Sequence, residues 1–452
     1  MGKRAAIILA AGQGTRMRSS LPKVLHQVGG RPMVDWSVAL ARNTGCERIV
    51  VVCSPDGRAV QAHIEATLGA NAIAIQDPPL GTGHAVLAAK DALAGYSGEL
   101  VVLYGDTPLI PTEAVEALFG ELDNGASVGV LGFEAEAPGA YGRLITDAAG
   151  NLDAIVEANE ANPEQLAVSF CNSGVMAASA ETMFDLLGKV TNENAKGEYY
   201  LTDIVGLARA EGKRCRAVAC DEADVLGVNS RVELAQAERA FQDKTRHDFL
   251  AAGVTMTAPE TVFFSHDTQI ENDVIVEPGV VFAPGVSVRT GSRIRAFSHL
   301  ESASVAENCE IGPYARLRPG TELERGVKVG NFVEVKKTRM GEGAKANHLA
   351  YLGDGDIGAG ANIGAGTIFC NYDGFLKYTT KVGAGAFVGS NSSLVAPVTI
   401  GDGAYVGSGS VVTKDVSPNG LAVARGRQIE KSGWATSFRD KMAAIKAVKK
   451  KS

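Results

Sequence analysis

Residues 274–300 read Val274-Ile-Val276-Glu-Pro-Gly-Val280-Val-Phe282-Ala-Pro-Gly-Val286-Ser-Val288-Arg-Thr-Gly-Ser-Arg-Ile294-Arg-Ala-Phe-Ser-His-Leu300. An apolar residue returns at every sixth position, in a run from Ile270 through Val276, Phe282, Val288 and Ile294 to Leu300. A second run, one residue out of phase, follows at Val305, Ile311, Leu317, Leu323, Val329 and Val335. After a gap come Ile357, Ile363 and Phe369, and after another gap Val382, Val388, Leu394, Ile400, Val406 and Val412. Small or β-branched side chains stand two places before most of these, as at Val274, Val280, Ala315, Thr321, Ala386 and Ala404. Six residues supply one short strand, with inward side chains two apart, and a glycine-rich corner. No such unit buries its own face, so stability comes from stacking neighbours, and the pattern predicts a parallel β-helix. It specifies a fold and leaves function open, since solenoids of this period also serve as plain scaffolds.

At 452 residues the chain is long enough for two or more domains with full cores. A formal charge of -7 argues against a nucleic-acid binder, which wants a basic excess. The basic cluster from Lys446 to Lys451 reads as a frayed, solvated tail. Seven scattered cysteines, 46, 53, 171, 215, 220, 309 and 370, form no CxxC pair and suit thiols of a reducing, cytoplasmic compartment. Lys3, Arg4 and the following AAIILAA imitate a signal peptide, but the apolar run is short and leads straight into a charged glycine loop. Ala6 spoils a myristoylation match, and no stretch reaches the length of a membrane span, so no membrane attachment is expected.

Before residue 230 the six-residue count is absent. Short β-rich runs at 5–9, 48–53, 72–75, 100–103 and 127–132 alternate with helix-like segments such as 33–43 and 84–93. That alternation predicts an α/β domain with a mostly parallel sheet, whose ligands gather at the carboxyl ends of the strands. Ser230 with Glu233 reads as a capping box, and Leu234, Ala237 and Phe241 make one apolar stripe of a connecting helix about 30 Å long. The expected organisation is a domain at 1–231, a helical linker at 232–252 and the β-helix with its tail at 253–452.

After the first strand comes Leu9-Ala-Ala-Gly-Gln-Gly-Thr-Arg16-Met17, then Leu21-Pro-Lys23. The loop lacks the third glycine of a dinucleotide fingerprint and the Gly-Lys-Ser/Thr of a P-loop. Its two glycines let backbone N–H groups approach an anion, with two cations following; taken alone it could equally be a tight turn. Asp106, in Leu103-Tyr-Gly-Asp106-Thr-Pro-Leu, ends a buried strand where a carboxylate could hold Mg²⁺ together with phosphate oxygens.

The ordered motifs LAAGQGTRM, LPKVL, QDPPLGTGHA, YGDTPL, YGRL, IVEANEA, CNSGV, EYYLTDI and GVNSR span almost all of residues 1–231. They resemble the uridylyltransferase domain of the bifunctional N-acetylglucosamine-1-phosphate uridylyltransferase/glucosamine-1-phosphate N-acetyltransferase family. The resemblance implies a Rossmann-like nucleotidyltransferase domain in which Leu9, Ala10, Ala11 and Gly12 wrap UTP and Lys23 lies near its phosphates. Gln76, Gly81 and Thr82 would hold the uracil; Tyr104, Gly105, Gly142, Glu157 and Asn172 would contact the sugar nucleotide. Asp106 and Asn229 would bind Mg²⁺, and Arg16 would stabilise charge on the leaving pyrophosphate. Gln13 replaces the lysine common in the family, so the match does not carry that phosphate contact over. The implied chemistry is in-line attack by N-acetylglucosamine-1-phosphate on the α-phosphorus of UTP, with catalysis by positioning and charge neutralisation.

The longest gap in the count, between Val335 and Ile357, is too polar for core and is expected to leave the prism as a loop. It displays His348, with Arg318 and Lys336 upstream and Asn362, Asn371 and Lys377 downstream, all in or beside breaks of register. Loops on a rigid scaffold concentrate function, and cations around a candidate base suit a phosphorylated amine; a lone loop histidine can also be plain surface. RLRPG, NFVEVKK, NHLAYLGD, NIGAGT and CNYDG resemble the acetyltransferase domain of the same family. By that resemblance His348 is the general base, to which the near-neutral intrinsic pKa of imidazole is suited, taking a proton from glucosamine-1-phosphate as its amine attacks acetyl-CoA. Arg318 and Lys336 would hold the phosphate, with Tyr351, Asn362 and Lys377 completing the sugar site. Ala365, Asn371, Tyr372, Ser390, Ser408 and Arg425 match the acetyl-CoA positions, Ser408 through backbone where some members have Ala. The resemblance also implies a left-handed helix and a homotrimer with sites between subunits.

Three readings follow. The first is a cytoplasmic enzyme that acetylates glucosamine-1-phosphate and then transfers uridylyl, giving UDP-N-acetylglucosamine for bacterial peptidoglycan and lipopolysaccharide. The second is a sugar-1-phosphate nucleotidylyltransferase whose β-helix only assembles or regulates. The third is a scaffold with a nucleotide-binding module. The His348 segment discriminates, because a structural helix has no need of it.

Overall fold

The structure is a computed structural model that describes residues 2–12, 14–194 and 196–449. Its contacts separate two units, one running to Phe249 and taking in Phe264–His266, the other comprising Leu250–Phe263 and the chain from Asp267. The phosphate contact left in doubt at Gln13 lies outside the described residues.

The first unit is a nine-stranded sheet with helices on both faces. Its strands are β1 (Arg4–Leu9), β2 (Cys46–Cys53), β3 (Ile73–Ile75), β4 (Glu99–Tyr104), β5 (Val128–Glu134), β6 (Arg143–Thr146), β7 (Leu152–Val156), β8 (Phe170–Ser179) and β9 (Cys215–Cys220). The order β9-β5-β8-β4-β1-β2-β3 is parallel except at β8, which runs against both its neighbours, while the β6–β7 pair hangs off β8. Strands buried on both faces need apolar side chains in both directions, and RAAIIL and ELVVLY supply them. Ala6, Ile8, Val101 and Leu103 pack under α1 (Met33–Asn43), α2 (Arg58–Leu68) and α4 (Thr112–Asp123). Ala5, Ile7, Leu100 and Val102 pack under α3 (Thr82–Ala88), α5 (Ala180–Leu187) and α6 (Asp203–Ala210) on the other face.

Helix α7 (Arg231–Ala251) lays Ala237 and Phe241 on Val28, Met33 and Val228. Gly29 sits at φ 57°, where a Cβ would stand 2.5 Å from the Phe241 ring, so the helix can dock only over glycine. The expected capping box is present with one change. Ser230 Oγ accepts from the Glu233 N–H at 3.3 Å, but the Glu233 carboxylate reaches back to the N–H of Asn229, at 2.7 Å, rather than to that of Ser230.

In the second unit three columns of inward residues line a three-sided prism. Val276, Ile294, Ile311, Val329, Ala346, Ile363, Val388 and Val406 stack on face I. Phe282, Leu300, Leu317, Val335 and Leu352, then Phe369, Leu394 and Val412, stack on face II. Val288, Val305, Leu323, Met340, Ile357, Val382 and Ile400 stack on face III. Each step carries the chain to the next face, and most corners are turned by one residue at positive φ. From face I to II these are Phe297, Tyr314, Phe332 and Leu349; from II to III, Ser302, Lys337 and Asp354; from III to I, Asp273, Asn308 and Asn419, with glycines at other coils.

The segment between Val335 and Ile357 does not leave the prism, contrary to the sequence reading. It forms strands Glu334–Met340, Lys345–His348 and Tyr351–Ile357, and Met340, Ala346 and Leu352 point inward, fully buried. The count is hidden because the chain takes a five-residue step at Val335 to Met340 and another at Leu352 to Ile357, as it does at Leu300 to Val305, and because Ala346 is too small to stand out. The extruded loop is the later one, 372–379, braced by the Asp373 carboxylate, which accepts from the N–H groups of Phe375 and Leu376 at 2.8 and 2.7 Å. A last helix, α8 (Trp434–Lys449), takes in the start of the basic cluster expected to be a frayed tail, while Lys450 and Lys451 lie outside the described residues; its alanines, methionine and lysines are good helix formers. Among the described residues no helix is long and apolar enough to cross a membrane.

Candidate active sites

Leu9 pairs with Tyr104 in the first unit, so the glycine loop after β1 and Gly105-Asp106 after β4 start side by side at the carboxyl edge of the sheet. The Gly105 N–H donates to the Leu9 carbonyl at 3.0 Å, and that of Ala10 to Val52 at 2.9 Å. Gly14 is at φ 61° with Lys23 behind it, where a Cβ would meet the Lys23 Cβ at 2.6 Å. Lys23 Nζ bonds the Asp106 carboxylate and, at 3.0 Å, the Asn229 Oδ1. The Val228 N–H donates to the Asp106 carbonyl at 2.9 Å, tying the GVNSR segment to the same place. Arg16 stands exposed on a short turn, Thr15–Met17, next to the loop.

Gln76 is buried just beyond β3, its amide donating to the Gly81 carbonyl at 2.9 Å. Gly81 has φ 105°, and a Cβ there would lie 2.6 Å from the Tyr199 carbonyl. Thr82 Oγ1 accepts from the Leu201 N–H at 3.0 Å, so EYYLTDI clamps the Gln76–Thr82 loop.

The expected sugar residues also converge. Burial pushes the Tyr104 hydroxyl pKa up, with the Asp106 and then the Glu157 carboxylates adding to it. The Glu157 carboxyl is held above its ordinary range by burial, against the pull of Lys196. Its Oε1 stands 3.6 Å from where a Gly142 Cβ would be, and the Asn172 N–H donates to the Gly142 carbonyl at 2.8 Å. Sequence reasoning missed Gly174, at φ 92° under the Tyr104 ring, and Ser37, whose hydroxyl donates to the Tyr104 carbonyl at 2.7 Å. CNSGV carried a signal for the first; nothing local marked the second.

In the β-helix the expected residues fall on two different edges. His348, Ala365, Ser390 and Ser408 each immediately precede the positive-φ corner residue between faces I and II, namely Leu349, Gly366, Asn391 and Gly409. The Gly366 N–H donates to the His348 carbonyl at 3.4 Å, Asn391 to Ala365 at 2.7 Å and Gly409 to Ser390 at 2.8 Å, one column coil by coil. The Arg425 guanidinium caps it by donating to the Ser408 carbonyl at 2.8 Å. Asn362 lies on the outer side of face I, three residues before Ala365. His348 Nδ1 is 2.7 Å from Oδ1 of Asn331, the residue paired with it one coil earlier.

Arg318, Lys336, Tyr351, Asn371 and Lys377 gather instead at the edge between faces II and III. Lys377 and, more weakly, Arg318 hold Lys336 below the ordinary lysine range, with Asp354 opposing them. Arg318 is paired with Glu334 at 2.7 Å. Around Gly353 a Cβ would meet Tyr351 Oη at 2.5 Å and Asn371 Nδ2 at 2.7 Å, and Asn371 itself donates to Asp354 at 2.5 Å. The acetyl-CoA set is thus divided, with Asn371 and Tyr372 at one edge and the other four at the next. Gly353 and Asp354, in the motif NHLAYLGD, are further participants that sequence reasoning passed over.

A carboxylate and glycine loop at the switch point of an α/β sheet, joined to a hexapeptide prism bearing a histidine, defines a nucleotidyltransferase coupled to a hexapeptide-repeat transferase. The family models agree: residues 6–177 match the MobA-like NTP transferase domain, and residues 379–414 the bacterial transferase hexapeptide (six repeats). Curated relatives span the whole molecule. The Bifunctional protein GlmU of Hyphomonas neptunium is 65% identical over 447 residues, which cover 99% of this chain and 97% of that protein. Those of Maricaulis maris and Caulobacter vibrioides are 62% and 56% identical, each over 99% of this chain and 98% and 97% of their own. This chain belongs to the GlmU family.

Proposed function

We propose that this chain makes UDP-N-acetylglucosamine in two steps, one in each unit, at the residues described above. In the second unit His348 accepts a proton from the amine of glucosamine-1-phosphate as the nitrogen attacks the thioester carbonyl of acetyl-CoA. The new amide forms and the CoA thiol leaves. Arg318 and Lys336 hold the phosphate, Tyr351, Asn362 and Lys377 complete the sugar site, and the small-residue strip Ala365, Ser390 and Ser408, with Arg425, Asn371 and Tyr372, takes the acetyl-CoA. The observation that carries this reading is a base displayed on one edge with three converging cations on the next, which a merely structural prism does not require.

In the first unit a phosphate oxygen of N-acetylglucosamine-1-phosphate attacks the α-phosphorus of UTP in line, and pyrophosphate leaves. Gln76, Gly81 and Thr82 fix the base, the loop Leu9–Gly12 covers the nucleotide, and Tyr104, Gly105, Gly142, Glu157 and Asn172 orient the sugar. Asp106 and Asn229 fit Mg²⁺. They offer a carboxylate and an amide oxygen, the donors a hard cation takes, and both already draw the Lys23 ammonium. Among the described residues no cluster of three or more His, Cys, Asp or Glu side chains that could hold a metal occurs, and phosphate oxygens and water would complete the coordination. Bound there, Mg²⁺ would neutralise and align the phosphates. Lys23 and Arg16 take the remaining phosphate charge, and the flexible lysine stem lets its ammonium turn from Asp106 to the nucleotide.

The acetyltransferase site is shared between copies of the chain in a homotrimer of left-handed prisms. The split of its residues over two edges supports this, as does the exposed stack of Phe297, Tyr314 and Phe332 along the His348 edge, with rings 5.1 and 5.3 Å apart. We place the enzyme in the cytoplasm, where its seven unpaired cysteines suit a reducing environment. Supplied with each substrate pair in turn, the protein should release thiol only from acetyl-CoA with glucosamine-1-phosphate, and pyrophosphate only from UTP with N-acetylglucosamine-1-phosphate and Mg²⁺. Pyrophosphate release without any thiol release would return the β-helix to a structural role.

A further inference from the structure

We infer that Asn331 sets the tautomer and direction of the His348 ring, a positioning role that rests on the reading of His348 as the base. The two residues are partners in adjacent parallel strands, and each immediately precedes a corner residue at positive φ, Phe332 at 56° and Leu349 at 53°. Their Cβ atoms therefore project from the same edge, about 4.8 Å apart along the stack. The Leu349 N–H donates to the Asn331 carbonyl at 3.0 Å, fixing one coil on the other. Oδ1 of Asn331 lies 2.7 Å from His348 Nδ1. The residue stacked one coil further on is Ala365, whose methyl group cannot bond an imidazole, so of the two side chains stacked on His348 only that of Asn331 offers its ring an acceptor.

An imidazole nitrogen facing an acceptor oxygen carries the proton, which leaves the other nitrogen with its lone pair. Here Nδ1–H points at Asn331, and Nε2 is the atom that takes the amine proton. The amide is also neutral. It fixes the ring without placing a negative charge beside two phosphorylated substrates, as a carboxylate in its place would.

The test uses the full-length chain with Asn331→Ala, Asn331→Asp and His348→Gln. Without the acceptor the ring samples both tautomers and swings, so Asn331→Ala should lower kcat for thiol release by about 10- to 100-fold while KM for glucosamine-1-phosphate stays nearly constant. Asn331→Asp keeps an acceptor for Nδ1 and should recover part of that loss, its negative charge beside the phosphates holding back the rest. Pyrophosphate release and the melting profile should match the unaltered protein in all three. With ¹⁵N-histidine labelling the chain shows only seven histidines, and the His348 signals are those lost in His348→Gln. They should report protonated Nδ1 in the unaltered protein and in Asn331→Asp, and lose that preference in Asn331→Ala. Unchanged kcat in Asn331→Ala, or His348 protonated at Nε2 in the unaltered protein, overturns the inference. Full thiol release by His348→Gln would instead overturn the base assignment itself, a distinguishable failure.

Discussion

Gly353 offers a substitution whose consequence can be worked out from distances. Its backbone is not in the left-handed region, so alanine meets no intrinsic strain there, and the effect comes from the added methyl alone. That methyl would stand 2.5 Å from Tyr351 Oη and 2.7 Å from Asn371 Nδ2. Ordinary heavy-atom contact needs about 3.5 Å, so the tyrosine tip must retreat by roughly 1 Å and the amide by about 0.8 Å. The Asn371 bond to Asp354 is then stretched, and Lys336, paired with Gly353 one coil earlier, loses the wall beside it. Both obstructing atoms are ends of side chains at the prism edge, so the fold can absorb the change at about 1 kcal/mol. A misplacement of about 1 Å in a positioned site costs on the order of 100-fold in rate, or about 2.7 kcal/mol of barrier. Gly353→Ala should therefore lower kcat/KM for thiol release about 100-fold, with pyrophosphate release unchanged and the melting midpoint down by only a few degrees. Thiol release within twofold of the unaltered protein would refute the packing argument.

Glu157 should make stability depend on pH. Burial holds its carboxyl above the ordinary 4.5, so the unfolded chain gives up this proton first and the folded state loses stability as pH rises from about 4.5 through the folded value. Glu157→Gln removes that loss, and unfolding at about pH 4 and about pH 7 should show the variant gaining on the unaltered protein at the higher pH; no change in the gap would contradict it. In the prism, Phe369 is fully buried and its neighbour Ile368 points outward at 40% exposure. Denaturant unfolding of the second unit should register about 3–5 kcal/mol for Phe369→Ala and within about 0.5 kcal/mol for Ile368→Ala. If the site is completed by the His348 edge of one copy and the Lys336 edge of another, a refolded mixture of inactive His348→Ala and Lys336→Ala chains should regain thiol release. Continued inactivity of the mixture would place the whole site in one chain.

How far these features were legible follows from the physics of each. The six-residue register was readable because the inward residue at each sixth position is apolar and buried while its neighbours face out. It became invisible between Val335 and Ile357, where two five-residue steps and the small Ala346 removed the signal while the coil itself continued. His348 stood out as chemistry, yet its display came from a corner of a complete coil and not from a loop. Which edge a residue occupies could not be counted along the chain, because coils differ in length: 17 residues separate Val329 from Ala346, and 25 separate Ile363 from Val388 across the extruded loop. Asn331 was passed over for that reason, although it lies 17 residues before His348, one coil away. In the first unit the strands and glycine loop were plain in sequence, whereas Ser37 and Gly174 matter only through their contacts with Tyr104.

The central claim is that one chain carries two independent transfer sites, with His348 serving one and Asp106 the other. The most direct measurement follows free thiol and pyrophosphate separately in His348→Ala and Asp106→Ala, each given its own substrate pair and Mg²⁺. His348→Ala should lose thiol release and keep pyrophosphate release, and Asp106→Ala should do the reverse. Loss of both products in either variant, or of neither, would contradict the account.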